Sequence, residues 1–216
     1  ASSRQPDHSP LATLNDRNDR LRLIPADLAT AQGPASLAAA TAGYTDHLSR
    51  VIHCAGVLHD SSHNRSPEKR LEDLCAENLE YSFRLNAWVP ILLAQGLLPL
   101  LRQQPAVFAA ISARVGSIED NRLGGWYAYR ASKAAQNQFL RTFAVEARRR
   151  AKNLIVLALH PGTVETGLSA PFRANVPPEK LFSVDFAAQC LLRNMENAAE
   201  EDSGGFFAWD GAPIPW

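Results

Sequence analysis

Cysteine is scarce: Cys54, Cys75 and Cys190 are all that 216 residues contain. Three of them, widely and irregularly spaced, give neither a disulfide framework nor the paired spacing of a zinc site. No metal is therefore expected, and a cytoplasmic, reducing setting fits best. Charge of one sign is missing too. Twenty-two basic residues balance 22 acidic ones, which leaves no net field to draw nucleic acid or an anionic membrane. The densest basic run, inside Glu146 to Lys152, reads as the solvated end of a helix. No apolar run is long enough to span a bilayer. Ala87 to Leu101 is the greasiest stretch, but Pro90, Gln95 and Pro99 interrupt it, and it falls short of the roughly 20 residues required. The opening ASSRQPDHSP has no apolar centre of the kind a secretion signal needs. Repeats and low-complexity tracts are absent as well.

What is present is an ordinary globular composition, 46% apolar and 20% charged, in a chain long enough for one sizeable core. A single domain over residues 1–216 is expected. Short apolar runs alternate with longer helical patterns, the signature of an α/β protein with a doubly wound, mostly parallel sheet and helices on both faces. The runs are LRLIP (21–25), RVIHCAG (50–56), AVFAAI (106–111) and LIVLALH (154–160). The last three do not alternate polar with apolar, as expected of strands buried on both faces. Helices are expected near 34–47, 70–102, 126–151 and 185–198, with Pro90 kinking the second and Asp185 capping the last. The polar stretch HDSSHNRSPEKR (59–70) follows a strand end, where open α/β sheets place ligands.

The chemistry concentrates in GGWYAYRASK (124–133). On a helix, Tyr129 and Lys133 are one turn apart, about 6 Å along the axis, and share a face. Tyr127 has only Ala131 at that offset and is assigned to packing. A free phenol, with a pKa near 10, is a poor proton donor or acceptor at neutral pH. A lysine ammonium about 4 Å away contributes roughly 4 kcal/mol at an effective dielectric of 20, enough to lower that pKa by up to about three units. A phenol tuned in this way can protonate a carbonyl oxygen, or deprotonate an alcohol in reverse.

With Tyr129-Arg-Ala-Ser-Lys133 in view, the chain resembles the short-chain dehydrogenase/reductase family. Within it, the likeness is to sniffer-like carbonyl reductases and bacterial C-factor-like proteins. It runs from about Ser3 to the carboxyl terminus, through Cys54-Ala55-Gly56, Asn86, ISARVGSIEDNRLGGWYAYRASK (111–133) and HPGTVETGLS (160–169). The resemblance implies a nicotinamide dinucleotide lying along the carboxyl ends of the strands. It makes Tyr129 the general acid/base and gives Lys133 the tuning of it and the nicotinamide ribose. Asn86 would hold a water that relays protons to the lysine. Asp27, with Leu28 beside it, would face the adenine. Cys54, Ala55 and Gly56 would pass under the cofactor, and Pro161, Gly162, Thr163 and Val164 would carry the nicotinamide amide. Arg4 would face the adenine ribose, where a cation favours a 2′-phosphate, so NADP is expected, with NAD the alternative. His53 stands where the family usually has asparagine and is assigned to the core. The segment 165–185 would form a lid whose apolar underside is Leu168, Phe172, Val176 and Leu181, over a pocket for a small carbonyl substrate, with Trp126 either flanking that pocket or in the core. Pairing through the long helices 70–102 and 126–151 would give a homodimer.

The sequence departs from the family pattern twice. The usual Ser-Ser before the catalytic helix reads Ser112-Ala113. Ser112 is the preferred carbonyl-polarising group, Ser117 is the alternative, and a missing donor is a third possibility costing roughly 3 kcal/mol. The second departure is that no Gly-x-x-x-Gly-x-Gly phosphate turn occurs, and the family's interior first strand, with its turn and helix, is not found. Roughly 30 to 40 further residues are expected upstream, at ordinary element lengths. The expected activity is NADP-dependent reduction of a small carbonyl. The rival reading is a non-catalytic, dinucleotide-binding signalling protein, encouraged by Ala113. A nucleotide-sugar epimerase would need a larger carboxyl-terminal substrate domain.

Overall fold

A computed structural model describes residues 1–5, 10–15 and 19–216. Its centre is a parallel sheet of β3 (Arg50–His53), β4 (Ala106–Ile111), β5 (Leu154–His160) and β8 (Gly205–Ala208), in the order β3-β4-β5-β8. The β4 and β5 runs fill their strands from end to end, in register from Ala106 with Leu154 to Ile111 with Leu159. Alternate side chains go to opposite faces. Phe108, Ala110, Val156 and Ala158 meet α4 (Val89–Leu101) and α5 (Tyr127–Arg150), while Ala109, Leu157 and Leu159 meet Leu191 and Met195 of α6 (Val184–Asn197). Cover on both faces is the physical reason these strands lack polar alternation.

The remaining strands form two small parallel pairs. Ser2–Ser3 (β1) joins Ile24–Pro25 (β2), and Thr163–Val164 (β6) joins Leu181–Phe182 (β7). The run 21–25 is thus a strand only in its last two residues. Among the described residues no strand ladder connects β1 to β3, so the sheet stands in two pieces.

Helix boundaries depart from the sequence pattern where local side chains compete with the helix. After a short α1 (Pro10–Asn15), the helix expected from 34 to 47 is α2 (Gly33–Ala42), which closes at Gly43. Residues 71–73 form a 3-10 turn, because the Asp73 carboxylate takes the N–H groups of Lys69 and Arg70 and the Arg70 Nε. The α-helix proper, α3 (Ala76–Phe83), therefore starts later than expected. A π turn, Arg84–Trp88, separates it from α4, and Pro90 sits harmlessly in the first turn beyond. One helical stretch, Ala76–Leu101, is long and apolar enough to cross a membrane by length and composition, but 56% of its most apolar window is buried inside the protein. Ser183, not Asp185, caps α6: its Oγ accepts the Phe186 N–H, which leaves Asp185 in the first helical turn.

Candidate active site

A cavity of about 730 Å³ opens over the carboxyl ends of β3, β4 and β5. Three loops, the segment 166–176 and two helices, α5 and α6, build it, with Ala187, Leu191 and Met195 of α6 in its wall. From the end of β3 come Cys54, Ala55 and Gly56, from beyond β4 come Ser112 and Ala113, and from beyond β5 come Pro161, Gly162, Thr163 and Val164. The first turns of α5 add Trp126, Tyr129 and Lys133. Small side chains at 54–56 let the backbone itself form the wall. Gly162 has φ +77°, and a Cβ there would lie 2.6 Å from the Phe182 ring, so only glycine suits that turn.

Tyr129 and Lys133 do share a face, with the lysine Nζ 5.9 Å from the centre of the tyrosine ring. Both are buried. The ammonium donates to the Ile111 carbonyl at 2.8 Å and to Gln136 Oε1 at 2.9 Å. Burial brings the lysine down to about 7. Burial also pushes the Tyr129 phenol up to about 12, opposite to the lowering expected from a close ammonium. Desolvation of the phenolate is the cause, and the Lys133 Nζ is engaged by the Ile111 carbonyl and Gln136 instead.

Asn86 lies in the π turn and is fully buried. Its Oδ1 accepts the Val57 N–H at 2.8 Å, while Nδ2 donates to the Val57 carbonyl and the Ser132 hydroxyl. The amide thus pins the loop after β3 to α5, and it does not line the cavity. Ser112 is at the wall, but its hydroxyl donates to Asn137 Oδ1 at 2.6 Å. The Ser117 hydroxyl points to the Trp216 carbonyl, outside the cavity. His53 is buried with Nε2 unpartnered, and burial together with the nearby Lys133 charge holds it down to about 3.

Arg4, Asp27 and Leu28 sit apart from this cavity, just beyond β1 and β2. Arg4 and Asp27 are exposed, and Asp27 makes a local turn by accepting the Ala29 N–H. Of the expected lid residues, Leu168, Phe172 and Val176 line the cavity, but Leu181 does not. Trp126 is a wall residue, 4.9 Å from the Phe172 ring and 6.3 Å from that of Tyr129. Tyr127, assigned to packing, is 40% exposed instead. The chemistry at the wall, one ammonium, one phenol and close backbone at 54–56 and 161–164, suits the nicotinamide end of a dinucleotide.

A model of the short chain dehydrogenase family matches residues 1–177. The chain belongs to that family. Curated relatives include C-signal of Myxococcus xanthus, 32% identical over 147 residues, 68% of this chain and 83% of the relative. Another is 1-hydroxy-2-glutathionyl-2-methyl-3-butene dehydrogenase of Rhodococcus sp. strain AD45, 30% identical over 193 residues, 88% of this chain and 78% of the relative. Among solved structures, carbonyl reductase Sniffer of D. melanogaster superposes with a TM-score of 0.86 at 26% identity, covering 100% of this chain and 86% of its own. A carbonyl reductase from Pseudomonas aeruginosa PAO1 in complex with NADP gives 0.79, also at 26% identity, with 100% and 87% covered. The family resemblance and the parallel α/β fold read from the sequence both hold. The family is one of oxidoreductases.

Proposed function

We propose that this short-chain dehydrogenase reduces small aldehydes or ketones with NADPH, with Tyr129 as the proton donor. The observation that carries the reading is the placement of Tyr129 and Lys133 on one cavity wall, facing the 54–56 and 161–164 backbone. When bound, the nicotinamide supplies the hydride. Cys54, Ala55 and Gly56 would lie under the cofactor, and Pro161 to Val164 would hold its carboxamide. A phenol pushed up to about 12 is protonated throughout the working pH range and so holds a proton for the carbonyl oxygen, although it is a weaker acid than the lowered phenol expected from the sequence. Lys133, brought near 7, can gain or lose a proton at neutral pH and so return one to the phenol. Asn86 acts through position, holding Val57 and Ser132 around that pair. Ser112 would have to release Asn137 to polarise the carbonyl. Arg4 and Asp27 are assigned to the adenosine end, and the cation favours a 2′-phosphate.

Leu168, Phe172, Val176 and Trp126 favour an apolar substituent next to the carbonyl. The residues 1–216 are read as one domain. Exposed Trp88 at the π turn, Leu92 on α4, and Phe139 and Val145 on α5 support pairing of two copies. The test is consumption of NADPH and NADH by purified protein over a panel of small carbonyls. Turnover with NADPH preferred supports the reading. Tight cofactor binding without turnover of any carbonyl would instead support the signalling reading that kinship to C-signal and Ala113 favour.

A further inference from the structure

A helix begins with N–H groups that have no partner inside it, and a side chain at the N-cap usually accepts one of them. At the start of α5 the N-cap is Trp126, in the left-handed region at φ 52°, and its side chain makes no capping bond. The partner comes from elsewhere. Glu68, 60 positions upstream of Ala128, accepts the Ala128 N–H on Oε2 at 3.1 Å, and its backbone carbonyl accepts the Trp126 N–H at 2.5 Å. Glu68 is only 3% exposed. Among the described residues no lysine or arginine forms an ion pair with it. A buried carboxylate is costly unless it is hydrogen-bonded. Here the helix supplies the Ala128 N–H and the positive end of its dipole.

The rest of the junction is held by the Arg130 side chain. Arg130 donates to the carbonyls of Gly125 at 3.0 Å and Gly124 at 3.1 Å, closing the Gly-Gly turn onto the helix. Glu68 and Tyr129 share the wall of a small void of about 20 Å³. Ala128 is the residue before Tyr129 in the same turn, so the Glu68 contact sets where the phenol sits. The stretch 59–68 reaches this place from the end of β3, braced by Asp60 bonding Arg65 through paired backbone contacts at 2.9 and 2.8 Å.

We infer that Glu68 is a positioning residue for Tyr129, acting as a cap supplied from a distant loop to the first turn of the catalytic helix. The inference rests on Tyr129 being the proton donor. A displacement of about 1 Å at a reacting group can cost on the order of a hundredfold in rate, so a loosened first turn should lower kcat and leave cofactor affinity alone.

Three variants and three readouts test it, and two of the readouts, cofactor affinity and hydrogen exchange, do not need activity. Glu68→Ala is expected to lower kcat about tenfold or more with the NADPH dissociation constant within about twofold. It should also speed hydrogen exchange of the amides at 126–130, while β4 and β5 stay protected. Glu68→Gln, which keeps the acceptor oxygen, should restore both. Glu68→Asp, which keeps the charge but shortens the reach, should fold and show the same fall in kcat and the same faster exchange at 126–130, and it carries the test if Glu68→Ala does not fold. Unchanged exchange at 126–130, or wild-type kcat in Glu68→Ala or Glu68→Asp, would overturn the inference. If wild-type protein turns over no carbonyl, the proposed reaction fails on its own, and the exchange data alone decide whether Glu68 holds the turn.

Discussion

At the scale of single residues the site depends on what burial does to two protons. Lys133, lowered to about 7 from an ordinary 10.5, is uncharged in the fold between those values, where the unfolded chain binds a proton. Its contribution to stability is therefore fully present above 10.5 and is lost as pH falls towards 7, then constant. Replacing it by methionine removes that dependence. The stability difference between Lys133→Met and wild type should change by about 1 kcal/mol per pH unit between pH 7 and 10, read by urea unfolding. A difference independent of pH would contradict the burial argument. The serines give a second test. Ser112→Ala leaves Asn137 Oδ1 without its donor and should cost about 1 to 3 kcal/mol of stability. Ala113→Ser adds a hydroxyl at a cavity wall where neither Ser112 nor Ser117 has a free proton, and should raise kcat, by up to about a hundredfold if it polarises the carbonyl. Steady-state kinetics and denaturation separate the two effects, and a fall in kcat for Ala113→Ser would count against the missing donor.

The spacing of Tyr129 and Lys133 was legible because a helix turn fixes which side chains are neighbours. The direction of the phenol shift was not, since it depends on desolvation by residues remote in sequence. Glu68 was missed for the same reason: no local pattern links Glu68 to Ala128. A carboxylate in the loop facing a helix whose own N-cap is tryptophan was the signal available.

At the scale of elements, β4 and β5 were readable to the residue because each is an unbroken apolar run between polar turns. Helix starts were less readable. Asp73 diverts one into a 3-10 turn, and Ser183 takes a cap assigned to Asp185. The turn after β5 makes the sharpest prediction. Gly162→Ala must adopt a positive φ and place its Cβ against Phe182, whose ring is already fixed 4.7 Å from that of Trp209. A loss of about 2 to 4 kcal/mol is expected from backbone strain and overpacking together, measured by chemical denaturation. Wild-type stability would show that the turn tolerates a side chain.

For the whole molecule, two cores on opposite faces of one sheet hold the strand ends in place, and two histidines, His53 buried and His160 half-buried, lie near those ends. His53 and His160 are held down to about 3 and about 4, chiefly by burial. Unfolded histidines bind protons below about 6.5, so stability should fall as pH drops from there towards 4. His53→Asn should flatten part of that slope in an acid titration followed by circular dichroism, and an unchanged slope would remove His53 from the account. The parallel order and both faces were legible in the alternation of strand and helix patterns. The division of the sheet between β1 and β3 was legible only against the family pattern.

The central claim is that Tyr129 delivers the proton. Purified Tyr129→Phe should keep its fold, bind NADPH within about twofold of wild type, and lose carbonyl reduction by a factor on the order of a thousand or more, a range typical of removing a positioned acid. Carbonyl turnover equal to wild type in that variant would contradict the account.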